Sequence, residues 1–497
     1  MKKILFLIST IFLLAACSSD DEVLLAPLVS GVEDAYTILE DAKLALNPNI
    51  ENGENATILW YIDGDEVAKT ESYIFQQSKA GEYNVELKVV NEGGVIEKTI
   101  SITVGAKNIV IEGTAHTLIP VSLPDYMKEI ENIKWGEITA DTKLYRFSNN
   151  PVLAETPFFI AAVPGEYVMQ ANWGEVDGTV TFIIAESETT PSAYIAKIFD
   201  YFPAPGQFVN KMPKYEEGDS HDDMVAKAAN ALVGENTSMI TLGGWGGYVT
   251  IGFDHTIVNV AGKKDFRIEG NAFGSNANPD DNAPFGGSCE PGIIMVSYDA
   301  NGNGEPDDEW YEIKGSGNFT AENENWYQKA VDNGNDVNTY RDFEMTYYKP
   351  TDESTAPGED YIRWTNNKGG EGYKEKNAFH RQSYYPLWKS EDKITFDGIR
   401  LAQNGVDESG QGSYFVLYAF KYGYVDNFPN RDDRAAIDID WAIDKDGNKV
   451  NLPGINFVKI YNGVDQENGW LGEASTEVSK GYNLHLLDMS IDTITEE

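Results

Sequence analysis

Alternation of apolar and polar positions with period two runs through most of this chain. Asn84-Val-Glu-Leu-Lys-Val-Val90 puts an apolar side chain at every second position, and Ile96 to Val104 does so again. Such alternation is the mark of a strand with one face buried. Ala56-Thr-Ile-Leu-Trp-Tyr-Ile62 reads as another strand and Asp63-Gly64-Asp65 as the turn that ends it. Farther on, strands are predicted at Tyr248–Phe253, Asp265–Glu269, Ile293–Tyr298, Glu309–Ile313, Phe343–Tyr348, Ile394–Leu401, Tyr414–Tyr422 and Phe457–Tyr461. Helical periodicity is convincing once. Asp219 or Ser220 can cap a run through Leu232 in which Met224, Val225, Ala228, Ala229 and Leu232 form one stripe, and Gly234 can end it.

These elements predict an all-β chain. Residues 31–105 read as a small sandwich. A strand bearing Trp60, followed by a strand opening Gly81-Glu82-Tyr83, resembles PKD-like modules of immunoglobulin type, a likeness that makes Trp60 and Tyr83 core residues. Gly165-Glu166-Tyr167 repeats the tripeptide, Trp135 lies on Ile133-Lys-Trp135, and Val180-Thr-Phe-Ile-Ile184 closes the unit. Residues 106–190 are therefore expected to form a second Ig/PKD-like sandwich. The polar stretch Glu186-Ser-Glu-Thr-Thr-Pro191 reads as a linker. Residues 191–490, with about eight strands and long loops, suit a larger jelly-roll sandwich with one short helix.

The N-terminus follows a different pattern. Lys2 and Lys3 precede an apolar run from Ile4 to Leu14, shorter than the roughly 20 residues a membrane span needs. The run ends in Leu14-Ala15-Ala16-Cys17, which resembles a bacterial lipobox. That resemblance implies a signal peptide at 1–16, removed before Cys17, and lipid on Cys17 as the only membrane attachment. Residues 17–30 then form the lipidated tether. Its opening, Cys17-Ser-Ser-Asp-Asp-Glu22, is similar to the surface-export signal of Bacteroidota lipoproteins. The expected location is the cell surface, on the outer membrane.

Composition narrows the partners. Tyr (27), Phe (22) and Gly (46) favour strands and turns. A formal charge of −42 repels nucleic acid and anionic membrane, so no nucleic-acid partner is expected. With Cys17 assigned to lipid, Cys289 has no intrachain partner and there is no disulfide framework.

Four strings in the C-terminal half are distinctive: Leu242-Gly-Gly-Trp-Gly-Gly-Tyr-Val-Thr-Ile-Gly-Phe-Asp254, Gly270-Asn-Ala-Phe273, Glu290-Pro-Gly292 and Gly469-Trp-Leu-Gly-Glu-Ala-Ser-Thr-Glu477. They resemble Bacteroidota "cell surface protein" lipoproteins that join PKD-like modules to a galactose-binding-like jelly roll. The resemblance spans most of 31–485 and is clearest over 199–480. Some members of that family lie beside cobamide-uptake systems built on outer-membrane TonB-dependent transporters, which implies a possible transporter partner without identifying a ligand.

The sharpest chemical motif is Asp299-Ala-Asn301-Gly-Asn303-Gly304-Glu-Pro-Asp307-Asp308-Glu309. Side-chain oxygens at alternate positions followed by Gly match the start of a calcium loop. Asp299, Asn301, Asn303, Asp307 and Glu309 are the candidate ligands of a structural Ca²⁺, with Asp308 and the Glu305 carbonyl also available. Position 12 of an EF-hand is Trp310 rather than Glu, and strands flank the loop. The alternative is a polar hairpin of Asx-turns. Asp444-Lys-Asp446-Gly447-Asn448 reads as an ordinary Asp-Gly turn.

Aromatic residues in polar loops suggest a ligand surface. Tyr373, His380, Arg381, Tyr384, Tyr385 and Trp388 follow a Gly-rich turn, Tyr424 lies in a similar loop with Asp426 and Asn427, and Trp245 sits among four glycines. Flat rings beside hydrogen-bond donors suit a sugar face or a large planar cofactor, and core packing is the competing role for each ring. Catalysis is not expected. The five His residues lack metalloprotease spacing, no Gly-x-Ser-x-Gly elbow occurs, and Asp254-His255 reads as a satisfied strand end. The expectation is a non-enzymatic surface protein that binds a small ligand, a cobamide or a glycan, and supports its uptake. An adhesin or scaffold is the alternative, and a glycan hydrolase is a third.

Overall fold

The computed structural model describes residues 24–149, 156–236, 238–275, 283–353 and 358–494. The signal peptide, Cys17 and the acidic residues after it lie outside the described residues. Strands dominate, as the alternation requires. Two α-helices occur among the described residues, His221–Leu232 and the short Tyr327–Asp332, where one was expected. Ser220 caps the first through a capping box with Asp223, and Met224, Ala228, Ala231 and Leu232 are its buried face.

The chain divides into two compact units. The first takes residues through Ile109 with Leu123–Glu137 and Met169–Val180, and the second takes Val110–Ser122, Ile138–Val168 and Thr181 onward. The stretch expected to be a separate second sandwich is thus shared between the two.

In the first unit, five strands order as Ala35–Leu39, Gly94–Gly105, Gly81–Asn91, Thr57–Ile62 and Asp65–Ala68. Gly81–Asn91 and Gly94–Gly105 form a hairpin in register from Gly81 opposite Val104 to Asn91 opposite Gly94. The two-residue turn leaves the alternation unbroken, so Val85, Leu87 and Val89 point with Ile100 and Ile102 into one core. Trp60 is wholly buried there, and its indole N–H donates to the Thr70 carbonyl at 2.9 Å. The Gly-Glu-Tyr repeat is also structural. The Tyr83 hydroxyl donates to the Lys79 carbonyl at 2.9 Å, and in the second unit the Tyr167 hydroxyl donates to the Val163 carbonyl at 2.8 Å. Each tyrosine pins the backbone four residues upstream. Trp135 does not repeat the role of Trp60. It is half-buried, with its ring edge-on to Trp173 at 5.8 Å.

The second unit is built on a six-stranded sheet, ordered Lys197–Ala204, Gly244–Val258, Gly454–Asn462, Gly292–Ser297, Trp310–Ile313 and Ala442–Ile443. One face carries Val249, Ile251, Ile294, Val296, Val458 and Ile460 into the main core. The other presents Tyr248, Met295, Lys459 and Tyr461 to a cleft. The period-two rule divides these residues, since Tyr461 pairs with Tyr248 and Lys459 with Met295 across the sheet. A four-stranded sheet, ordered Glu371–Lys376, Gly358–Asn366, Tyr340–Tyr348 and Lys393–Arg400, forms a second layer. Its first two strands were not predicted. In Glu371–Lys376 the inward positions are Lys374 and Lys376, which are 6% and 3% exposed, so the apolar signal is missing.

Candidate functional site

Two concavities in the second unit bring functional groups together. The larger, about 820 Å³, lies over the polar face of the six-stranded sheet. That volume is within the roughly 300–1,000 Å³ of small-molecule sites. Phe202, Tyr248, Trp310, Phe396 and Tyr461 supply rings, while Glu312, Arg341, Asp397 and Lys459 supply charge. Gly246 shapes the wall. Its φ of +87° is left-handed, and a Cβ there would come 2.4 Å from Phe396 Cβ.

The charges in this cleft are held in place. Arg341 Nη1 and Nη2 donate to Glu312 Oε1 and Oε2 at 3.0 and 2.8 Å, a two-pronged pair, and Asn318 Nδ2 donates to Glu312 Oε1 at 2.5 Å. Lys459 Nζ sits 4.1 Å over the Tyr248 ring. Burial lowers the Lys459 pKa from its ordinary value, and Asp397 and Asp200 oppose that shift. The Tyr248 hydroxyl donates to Asp200 Oδ2 at 2.6 Å, which fixes the ring under the lysine.

The smaller concavity, about 350 Å³, is lined by Gln207, Asn271, Glu290, His380, Asn468, Trp470, Glu473, Ser475 and Glu477 among others. Three of the four distinctive strings meet here, through Asn271, Glu290 and Glu477. Glu290, Asp426 and Glu477 each bring one carboxylate oxygen within 4.8 Å of the others. Asp426 has a left-handed φ of 55° and accepts from the backbone N–H of Asn271 and Ala272 at 2.7 Å each and of Glu477 at 2.9 Å. Glu290 accepts from Ser475 N–H at 2.9 Å and Ser288 Oγ at 3.0 Å. Glu477 accepts from Asn271 Nδ2 at 3.0 Å and Ser475 Oγ at 3.1 Å. Burial pushes all three carboxyls above their ordinary range. The Asp426 charge adds to the shift of Glu290, and the charges of Glu290 and Asp426 add to that of Glu477.

The aromatic ligand surface expected from the sequence is mostly core. Trp245 is 1% exposed, with its indole N–H donating to the Ile399 carbonyl at 3.1 Å and its ring edge-on to Phe343 at 4.9 Å. Tyr384 is buried and its hydroxyl donates to the His380 carbonyl, while buried Tyr385 donates to the Glu391 carbonyl. Tyr424 is buried with its hydroxyl on Asn318 Oδ1. Trp388 packs half-buried between Tyr201 and Tyr215. For Trp245, Tyr384, Tyr385 and Tyr424 the polar tip finds a carbonyl or amide inside the fold, while the buried Trp388 indole nitrogen has no partner among the described residues, so an aromatic-rich loop folded inward. Tyr373 is exposed on strand Glu371–Lys376, and exposed Arg381 reaches the Ala378 carbonyl. His380 lines the smaller concavity, edge-on to Phe208 at 4.6 Å.

The turn at 299–309 is well ordered by its own side chains. Asp299 Oδ1 and Oδ2 accept from the N–H groups of Asn303 and Gly304, Asn301 Oδ1 accepts from Asn303 N–H, and Asn303 Oδ1 accepts from Glu305 N–H. Asp307 accepts from the side-chain amides of Asn301 and Asn303. Those amides lower its pKa. Glu309 is engaged elsewhere, by the Tyr311 hydroxyl at 3.2 Å. Asp254 and His255 do pair, at 2.8 Å, and His255 Nε2 meets Asn483 Nδ2 at 2.8 Å, so both ring nitrogens are occupied.

The carboxylate pocket and the Glu312–Arg341–Lys459 group were not anticipated as sites. Glu290 and Glu477 stood inside distinctive strings, and Asp426 stood beside Tyr424, but nothing local linked three acids spread over nearly two hundred positions. Lys459 carried a usable signal, as a lysine inside an otherwise apolar strand run.

The chain is an all-β protein of sandwich units that opens with a PKD-like domain. Residues 28–91 match the family model described as a PKD-like domain. No curated protein matches the chain. Among solved structures, a quinonprotein alcohol dehydrogenase-like protein from Bacteroides thetaiotaomicron is 18% identical over 16% of this chain and 20% of its own, with a TM-score of 0.15. The titin fragment I67–I69 is 16% identical over 32% of this chain and 65% of its own, with a TM-score of 0.17. Sidekick-1 immunoglobulin domains 1–5 are 14% identical over 36% of this chain and 43% of their own, with a TM-score of 0.18. The chain covers less than two thirds of each of these.

Proposed function

We propose that this protein is a surface lipoprotein, anchored through Cys17 to the outer membrane of a Bacteroidota cell, that binds a small ligand and supports its uptake through a TonB-dependent transporter. The observation that carries the ligand-binding reading is the 820 Å³ cleft, in which five rings surround a Glu312–Arg341 pair already locked by its own hydrogen bonds. Preorganised polar groups between apolar walls bind a small molecule without an ordering cost. Rings and paired donors and acceptors suit a cobamide or a glycan, and the family resemblance favours the cobamide. The same reading assigns a structural Ca²⁺ to the turn of Asp299, Asn301, Asn303 and Asp307, whose oxygens lie in one short turn and accept hydrogen bonds from its own N–H groups. Glu309 is the weakest of the five ligands, given its bond to Tyr311. The binding reading needs no catalytic residue.

Titration of the purified protein with cobalamin and with a glycan panel tests this. One ligand class binds, and Trp310→Ala or Lys459→Ala weakens it about tenfold, which corresponds to about 1.4 kcal/mol. Saturable binding that both variants leave unchanged moves the site elsewhere, and silence with every ligand removes the reading.

A further inference from the structure

Most of the rings expected at a ligand surface folded inward, but two others stayed outside. Phe379 is 74% exposed and Trp470 52% exposed, and both line the smaller concavity with Phe208 and His380. One side chain ties their backbones together. Asn377 Nδ2 donates to the Trp470 carbonyl at 2.8 Å, and Asn377 Oδ1 accepts from the Phe379 N–H at 2.8 Å. The Asn377 N–H in turn donates to the Tyr384 hydroxyl at 2.9 Å. Trp470 stands in a closed turn, where the Asn468 N–H donates to the Gly472 carbonyl at 2.8 Å and Gly472 takes a left-handed φ of +89°. The Leu471 carbonyl of that turn accepts from Gln207 Nε2 at 3.0 Å.

Large rings left in water beside a cavity forfeit their own burial, and a fixed pair of them among polar groups marks a binding surface. The accessible polar groups of this cavity are Asn271, which is exposed, and Ser288 and Glu290, which are half-buried. Among the described residues no Lys or Arg lines it, while Glu290, Glu473 and Glu477 do, so an anionic ligand is repelled. Burial, with the Asp426 charge added, holds the Glu290 carboxyl above its ordinary range. That shift favours the protonated form, which donates as well as accepts. Amide, hydroxyl and carboxyl groups that do both match sugar hydroxyls, and the apolar C–H face of a pyranose fits against flat rings. At about 350 Å³ the cavity is at the small end of ligand pockets, with room for a short saccharide.

We propose that this cavity is a second binding site, for a neutral sugar ring that stacks on Phe379 and Trp470 and sets its hydroxyls on Asn271, Ser288 and Glu290. It shares no lining residue with the sheet-face cleft, so it goes beyond the ligand reading of that cleft and stands or falls separately. Asn377 holds the two ring-bearing loops at a fixed spacing, so the platform exists before the sugar arrives.

Saturation-transfer difference NMR on the purified protein, titrated with the methyl glycosides of glucose, galactose and mannose, is the test. At least one glycoside is expected to receive transfer at its ring C–H protons. Trp470→Ala and Phe379→Ala change exposed side chains and leave the core intact, and each is expected to raise the Kd about tenfold. Trp310→Ala, in the sheet-face cleft, is expected to keep the parent Kd. Choline, run in parallel, separates a sugar site from a site for organic cations. Four results overturn the proposal: no transfer to any glycoside, parent affinity in either ring variant, loss of the sugar in Trp310→Ala, or binding of choline with no glycoside bound.

Discussion

Arg341→Met breaks the ion pair at the floor of the large cleft and tests how that cleft is held open. The change removes two charge-assisted hydrogen bonds, at 3.0 and 2.8 Å, from a glutamate that is only 6% exposed. Glu312 then keeps one side-chain donor, Asn318 Nδ2. Leaving a buried charge without its partner costs about 3–5 kcal/mol. The Arg341 side chain is 29% exposed, so water reaches the vacated position and the cost falls near the lower figure, about 3 kcal/mol. The double variant Glu312→Gln/Arg341→Met carries no charge, and its amide oxygen still accepts from Asn318. It is expected to recover to within about 1 kcal/mol of the parent, because a neutral replacement of a buried pair is nearly isoenergetic. Urea unfolding followed by tryptophan fluorescence at matched m-values gives the comparison. A loss under about 1 kcal/mol in the single variant, or a double variant no more stable than the single, would refute the argument that this pair is a buried and mutually dependent unit.

The remaining predictions concern the core, pH and the turn. Trp60→Ala empties the centre of the PKD-like core and leaves the Thr70 carbonyl without its donor, for a loss of about 3–5 kcal/mol in the first unit, measured by urea unfolding. His116 is buried and its pKa is lowered to about 4, first by burial and then by His255. Its folded pKa lies below its unfolded value, so the neutral ring contributes stability that is present above pH 6.5 and is lost as pH falls to about 4, at most about 3 kcal/mol. His116→Asn, which tolerates the left-handed φ of 64° at this position, flattens that slope, and an unchanged slope assigns it to other groups. Added Ca²⁺ raises the melting temperature of the parent more than that of Asp299→Ala, and equal shifts reduce the turn to a hairpin of Asx-turns.

The strands of the second unit were legible wherever one face was apolar. Tyr248–Phe253, Ile293–Tyr298 and Phe457–Tyr461 each fall inside or overlap an observed strand, as do the hairpin strands around Asn84–Val90 and Ile96–Val104. The strand Glu371–Lys376 was not legible, because its inward residues are lysines answered by partners outside the strand. Lys374 Nζ meets Glu467 at 2.6 Å, and Lys376 Nζ lies 4.4 Å over the Tyr361 ring. The aromatic cluster was legible as composition and misleading as location. Trp245, Tyr384, Tyr385 and Tyr424 occupy segments rich in polar residues, yet each hydroxyl or indole found a backbone or amide partner inside the fold, which removed the cost of burying it.

Local patterning alone determined the all-β character, the capped helix at 221–232 and the Gly-Glu-Tyr repeat, because each depends on residues within a few positions of one another. Which side chains share a cavity was decided only by tertiary structure. Glu290, Asp426 and Glu477 come from three separated segments, and the cleft pairs Glu312 with Arg341 across two sheets. Electrostatic coupling falls off with distance in space and is indifferent to separation along the chain. Three acids apart in sequence are therefore three unremarkable surface charges until folding removes the water between them.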